Sequence, residues 1–299
     1  MELRQLRYFV AAANTLSFSE AAQKVNITQS TLSQQIKQLE EELGSPLFFR
    51  NNHSVRLTEE GVRILPIAVS TIASADSCTD MIQNIRHLHT GQLIIGVTYS
   101  FSPMLTETVL EFSRKYPGVK LRIIYKTMAE LMIMLLDREV DFVLAFKPDS
   151  TNINIETHEL FDSHIAAIVN PEHPLAEKSS VAIDEIFSYQ LALPARGLQA
   201  RSTFDKLTAN LRCPEPKIEL NEVNILISLV KSSKMVTVLA ETSIYGNEEV
   251  RAIRLDHCDN RMQGCIHTLG GSYHKRSMLE FVKILSQSQG VMVRKFGWL

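Results

Sequence analysis

Leu32, Ile36, Leu39 and Leu43 recur at steps of four, three and four, so a helix over this stretch gathers them into one apolar stripe. Ser30, Ser33, Gln34 and Lys37 fall on another face, with Gln29 at its start. Upstream, Leu3, Leu6, Phe9, Val10 and Ala13 mark a first amphipathic helix. Ala21, Ala22 and Val25 mark a short second one, for which Ser19 is the expected N-cap. Thr28 is the expected cap of the third helix, and Gly44 with Pro46 its stop. LFFRNNHSVRL, residues 47–57, alternates on both sides of an Asn-Asn-His-Ser tip, the pattern of a hairpin. Three helices and a hairpin predict a winged helix-turn-helix.

A second pattern starts at Thr58. Leu65, Val69, Ile72, Ala75, Cys78, Ile82, Ile85 and Leu88 recur at steps of three and four, which predicts one long helix. Such a seam needs a partner, and a second copy of the chain is the natural one, although packing on the chain's own core is the alternative. Pro66 is expected to perturb the helix locally. From Gly91 the regime changes. QLIIGVTYS reads as a buried strand, Ser102-Pro103 as an N-cap with proline behind it, and Pro117-Gly118 as the stop of the helix between. Strand VKLRIIY, a helix over 128–138 and strand VDFVLAF follow. A second alternating set comprises HIAAIVN, YQLALPA, a helix near 200–211, KIELNEV, a helix over 224–233 and MVTVLAE. IHTLGG and an amphipathic helix close the chain. Strands alternating with helices predict parallel pairing and an α/β region of two lobes joined by crossing strands.

These segments resemble the LysR-type transcriptional regulators nearly end to end. The specific part is LRYFVAAANTLSFSEAAQKVNITQSTLSQQIKQLEEELGSPLFFR followed by VRLTEEG. The resemblance implies an α/β architecture with an N-terminal winged helix-turn-helix (1–58), a long linker and dimerisation helix (59–90) and a C-terminal two-lobed periplasmic-binding-protein-like effector domain (91–299). Lobe one would comprise 91–161 and 268–299, and lobe two 162–267. LPARGLQARSTFD and IELNEVNILISLVKSSKMVTVLA further resemble the subgroup that includes the cyanate-operon regulator. Two departures stand out. His53 occupies a wing position where the family often has arginine, and LVKSSKMVTVLAE lacks the glycines common before the family's Leu-Pro.

Length and composition fit this division. A chain of 299 residues, 45% hydrophobic, can bury more than one core. A net charge of −2 supplies no global attraction for nucleic acid, so local charge placement has to carry any DNA contact. No apolar run is long enough for a membrane span, and Glu2, Arg4 and Arg7 interrupt any export signal. Cys78, Cys213, Cys258 and Cys265 show no disulfide spacing, and a cytoplasmic protein with reduced thiols is expected. An exported solute-binding protein is the runner-up class; the missing signal segment and the first 58 residues disfavour it.

Short polar side chains at a helix N-terminus suit the edges of bases in the major groove of double-stranded DNA. Gln29, Ser30, Ser33 and Gln34 are therefore the candidate base readers, and Thr31, Lys37, Arg50 and Arg56 the candidate phosphate contacts. A homodimer or tetramer would mirror its two-fold axis in an interrupted inverted repeat. In the effector domain, the resemblance places Ser100, Phe101, Ser102, Thr127 and Phe146 around the cleft, with Pro194, Ala195, Arg196 and Gly197 opposite. Hydroxyls there can donate to a small molecule, and Arg196 can neutralise an anion, so an anionic effector is expected. His257, Cys258, Cys265 and His267 form a conceivable zinc or redox cluster, but their spacing matches no standard finger, and no metal or other cofactor is expected. No G-x-S-x-G, H-E-x-x-H, P-loop or G-x-G-x-x-G is present, which argues against an enzyme.

Overall fold

The computed structural model describes residues 1–51, 54–86, 91–150, 152–256 and 260–295. The chain divides into two compact bodies, Met1–Arg86 and His87–Leu299.

The first body contains α1 (Leu3–Thr15), α2 (Phe18–Lys24), α3 (Gln29–Leu43), β1 (Phe48–Asn51), β2 (Ser54–Leu57) and α4 (Glu59–Arg86). Leu6, Phe9, Phe18, Leu32, Ile36, Leu39 and Phe48 bury one shared core. The cap of α2 is Ser17, whose side chain accepts from Glu20 N–H. Ser19, the residue expected there, lies inside the first turn and cannot reach that donor. Thr28 caps α3 by accepting from Thr31 N–H. Gly44 ends it at φ +70°, a left-handed conformation that favours glycine. Leu43, expected in the apolar stripe, is exposed because the helix ends beneath it.

β1 and β2 pair antiparallel, Phe48 opposite Leu57 and Asn51 opposite Ser54. Gly61 lets the start of α4 run against this hairpin: a Cβ there would sit 2.2 Å from Leu47 O. α4 continues through Pro66. Ala68 is buried, and Ile64, Leu65 and Ile72 pack on the helical core, so part of the expected seam is used within the chain. Val62 and Ile67 stay exposed.

The second body contains β3 (Gly91–Val97), α5 (Ser102–Lys115), β4 (Val119–Tyr125), α6 (Met128–Leu136), β5 (Phe142–Phe146), β6 (Ile155–Val169), β7 (Ser180–Val181), β8 (Ala192–Pro194), α7 (Gln199–Leu207), β9 (Ile218–Leu220), α8 (Val223–Lys231), β10 (Thr237–Ala240), β11 (Arg251–Leu255), β12 (Arg261–Leu269), α9 (Arg276–Gln287) and α10 (Gln289–Lys295). β4, β3 and β5 pair in parallel, as the alternation of strand and helix predicts. β12 adds antiparallel to β5, and β6 antiparallel to β12.

The long β6 makes the two lobes one body. Residues 155–164 pair with β12, which also pairs with β5, so 261–267 join the sheet of lobe one and not lobe two, where the bounds 162–267 would place them; 165–169 pair with β10 and β11 in lobe two. β8 and β9 form a separate parallel pair. A 3₁₀ turn, Tyr99–Phe101, runs straight into α5, so Ser102 is the first helical residue rather than the cap. No helix among the described residues is long and apolar enough to cross a membrane.

Candidate functional site

Burial of Leu32, Ile36 and Leu39, each 0% exposed, fixes the rotation of α3 about its axis and turns its polar row outward. Gln29, Ser30, Thr31, Gln34 and Lys37 are exposed, and Ser33 is half-buried. The cap residue also orders the start of the row: Thr28 Oγ1 lies 3.0 Å from Ser30 Oγ and 2.8 Å from Thr31 Oγ1. Lys37 reaches Glu41 at 3.6 Å along the same helix, a solvent-exposed pair worth at most about 1 kcal/mol and therefore easily exchanged for a phosphate. Arg56 is exposed on the hairpin. The Arg50 backbone pairs with Val55, while its side chain, like all of His53, falls outside the described residues.

One residue on α3 has a role that composition concealed. Glu40 turns back, and its Oε1 accepts from the N–H groups of Leu47 (2.8 Å) and Phe48 (3.1 Å). The carboxylate thus ties the first strand of the wing to the helix. Nothing in the local pattern separates Glu40 from Glu41 and Glu42, because its partners lie seven and eight residues on.

In the second body, described residues of both lobes line an inner and an outer chamber. The inner one is about 20 Å³, room for roughly one water, and is lined by Thr98, Tyr99, Ser100, Thr127 and Met128 from lobe one. Pro194, Leu198, Gln199, Ala200, Val223 and Leu239 line it from lobe two. The outer one is about 1260 Å³, above the 300–1,000 Å³ or so of typical ligand pockets. Gln199 lines both. Its Nε2 donates to Phe146 O at 2.9 Å and its Oε1 accepts from Phe146 N–H at 3.1 Å. A side-chain amide from the first turn of α7 therefore completes the backbone pairing at the end of β5. It links the two lobes where the chambers meet. Lys206 adds a second link, an ion pair to Asp149.

The expected ligand contacts divide between these places. Ser100 and Thr127 line the inner chamber, and Phe146 and Gly197 the outer. Phe101 is fully buried against Phe146 and Phe161, with ring centroids 5.3 Å away in each case, so it belongs to the core rather than to the cleft. Ser102 lines neither chamber, because it has been drawn into the first turn of α5. Arg196 is exposed and lines neither. Its charge and its backbone N–H help to hold the Glu219 carboxyl below the usual range, after the larger contribution of the Arg201 side chain.

The N-terminus of α6 carries a carboxylate of its own. Thr127 and Glu130 form a capping box in which Thr127 Oγ1 and N–H both donate to the Glu130 carboxylate, at 2.6 and 3.0 Å. Those bonds, with Lys126, hold the Glu130 carboxyl at about 2. No described residue lining the inner chamber is charged, and an anion approaching α6 there meets Glu130. The cation expected beside a small anion is thus absent from this chamber's described lining.

Sequence reasoning also missed Arg201, buried in α7 although it is an arginine. Its Nη1 donates to Pro194 O (2.9 Å) and to Glu219 (2.6 Å), and its Nε to Asp205 (2.7 Å). It holds the end of β8, where Pro194 lines the inner chamber. Of the suspected metal cluster, His257 and Cys258 fall outside the described residues. Cys265 and His267 are buried in β12; burial pushes the Cys265 thiol up to about 11, and His267 Nδ1 lies 3.0 Å from Thr157 Oγ1. Among the described residues no group of three or more His, Cys, Asp or Glu is placed to hold a metal ion.

A winged helix-turn-helix that presents a polar helix row, and a two-lobed α/β body that encloses a cleft, define the architecture of this protein. Residues 3–62 match the model of the bacterial regulatory helix-turn-helix proteins of the lysR family, and residues 86–289 match that of the LysR substrate binding domain. The chain belongs to the LysR family.

It is 32% identical over 188 residues to the HTH-type transcriptional regulator BudR of Raoultella terrigena, a match covering 62% of this chain and 65% of BudR. It is 34% identical over 191 residues to the HTH-type transcriptional regulator AlsR of Bacillus subtilis, covering 62% of each. The match therefore spans just under two thirds of either relative. A full-length OxyR variant from Pseudomonas aeruginosa shares the fold at a TM-score of 0.70 and 22% identity, over 98% of this chain and 97% of that one.

Proposed function

We propose that this protein is a cytoplasmic, homo-oligomeric transcriptional regulator whose operator binding or promoter activation is modulated by a small molecule held between the lobes of its second body. The observation that carries the reading is the orientation of α3. Three fully buried aliphatic residues commit one face to the core and leave Gln29, Ser30, Thr31, Gln34 and Lys37 exposed in a row. Amides and hydroxyls at a helix N-terminus match the donor and acceptor pattern of the major groove. In this reading Gln29, Ser30, Ser33 and Gln34 read bases, while Thr31, Lys37, Arg50 and Arg56 hold phosphates. Winged helix-turn-helix (1–58), linker (59–90) and effector domain (91–299) are its functional segments. Regulators make up the named relatives, which supports the reading and leaves no place for an enzymatic role.

Exposed Val62 and Ile67 on α4 support pairing with a second copy of the chain, and a two-fold assembly reads an interrupted inverted repeat. Ligand control follows if the small molecule has different affinities for two arrangements of the lobes. Ser100 and Thr127 then contact a ligand only after the inner chamber widens, since its present volume excludes anything much larger than water.

Selection of bound duplexes from a random pool by the full-length protein tests this. A symmetric interrupted motif is expected. Gln29→Ala should cost about 1–3 kcal/mol at one position of each half-site, whereas Arg56→Ala should weaken all sequences and flatten the salt dependence. Recovery of no motif, or equal losses on selected and random DNA for both variants, refutes the assignment.

A further inference from the structure

The outer chamber has a chemistry that the inner one lacks. Lys147, Lys206 and Arg261 line it, and Asp149 is the one carboxylate among its described lining residues. Glu159 and Asp162, which pair with Lys147 at 3.0 Å and with Arg261 at 2.8 Å, stand outside the lining. Lys147 Nζ also lies 3.2 Å from Gln263 Oε1, on the same strand as Arg261. The opposite character comes from Met128, Met132, Ile155, Leu207 and Met262, which give the chamber an apolar, adaptable surface.

We propose that the outer chamber binds an amphipathic carboxylate, its apolar body against the methionine and aliphatic surface and its head among Lys147, Lys206 and Arg261. The three cations are about half exposed and their ion pairs face solvent, so each pair contributes roughly 0–1 kcal/mol and yields to a ligand carboxylate at small cost. Met128 and Met132 belong to α6 of lobe one, and Lys206 and Leu207 to α7 of lobe two. A ligand touching both sets binds one lobe arrangement better than another, as a modulator must. Met128 and Gln199 line both chambers, and Gln199 is held by its two bonds to Phe146.

The inference rests on the ligand-sensing reading above, but its test reads binding apart from DNA. Full-length protein is titrated calorimetrically with 3-phenylpropionate, with its primary amide, and with acetate. The carboxylate should bind saturably and at least about tenfold tighter than the amide or acetate. The double variant Lys147→Met, Lys206→Met should remove that advantage while leaving the amide unchanged, and Lys120→Met, an exposed position on β4 that lines neither chamber, should change nothing.

Equal affinity for acid and amide, no saturable binding of the acid, or an acid affinity that Lys120→Met lowers as much as the lysine double variant does overturns the proposal. Binding as expected without any change in operator affinity leaves the chamber assigned and refutes its regulatory role instead.

Discussion

Replacing Glu40 by alanine tests how the wing is held to the reading helix. One carboxylate oxygen accepts two backbone N–H groups, at 2.8 and 3.1 Å, from residues whose side chains are 1% and 4% exposed. Hydrogen bonds to a charged group contribute about 1.5–3 kcal/mol each, and an orphaned buried donor costs about 1–3 kcal/mol. The two bonds share one oxygen and are not additive, so about 3 kcal/mol is the expected loss of local protection. At about 1.4 kcal/mol per decade this is roughly a hundredfold faster amide exchange at Leu47 and Phe48. Hydrogen exchange resolved to these amides in the full-length protein measures it directly.

Glu40→Gln, which keeps an uncharged acceptor, should fall between wild type and alanine. Amides C-terminal to α6 in the other body serve as the internal control. Exchange at Leu47 and Phe48 in the alanine variant within about threefold of wild type would refute the tie. If the hairpin holds phosphates as proposed, a loosened wing should also weaken binding to all duplexes alike.

The lobe link is tested by Gln199→Ala. It removes two hydrogen bonds with a net worth of roughly 1–3 kcal/mol together, and the Phe146 amide should exchange at least about fivefold faster; an unchanged rate would mean that the amide bridge is not formed in solution. Burial holds the imidazoles of His164, His173 and His267 below their usual range. Unfolded histidine takes up a proton first as pH falls below about 6.5, so the stability these groups allow is complete above that value and is lost as pH drops toward their folded values. The thermal midpoint should therefore fall more between pH 7.5 and 5.5 for wild type than for His267→Asn, and parallel curves would exclude His267 from the effect. Thiol mapping after brief alkylation of the native protein should label exposed Cys78 and Cys213 while sparing Cys265, which is buried and pushed up to about 11; equal labelling of all three would contradict that burial.

What could be read from the sequence was what neighbours along the chain decide. The stripe of Leu32, Ile36 and Leu39 and the caps Thr28 and Gly44 involve residues within a turn or two of each other, and the structure keeps them all. The parallel order of β4, β3 and β5 follows from strand–helix alternation by the same local logic. β11, RAIRL, carries two arginines in five residues and gives no run of apolar positions, so nothing in the pattern marks it as a strand. The first half of β6, IETHELF, is charged for the same reason: its pairing with β12 is set by a strand that begins about a hundred residues later. Ser17 and Ser19 differ only in which of them meets the Glu20 amide, a matter of where α2 begins.

The cleft was legible as a place and not as a chemistry, and Gln199 shows why. An amide at the start of a helix carries two donors and an acceptor that a sequence reader counts as available. Here both ends of the amide are spent on Phe146, 53 residues away, and on the opposite lobe. Arg196, three residues earlier, carries the positive charge an anion needs, yet it stands beside Glu219 on the outside. The cations that do face the larger chamber come from the end of β5, from α7 and from β12. Their place around one chamber depends on how the two lobes are joined, which no spacing of Lys147, Lys206 and Arg261 encodes. If a carboxylate binds among them as proposed, variants at these three positions should alter ligand preference without disturbing the face that α3 presents.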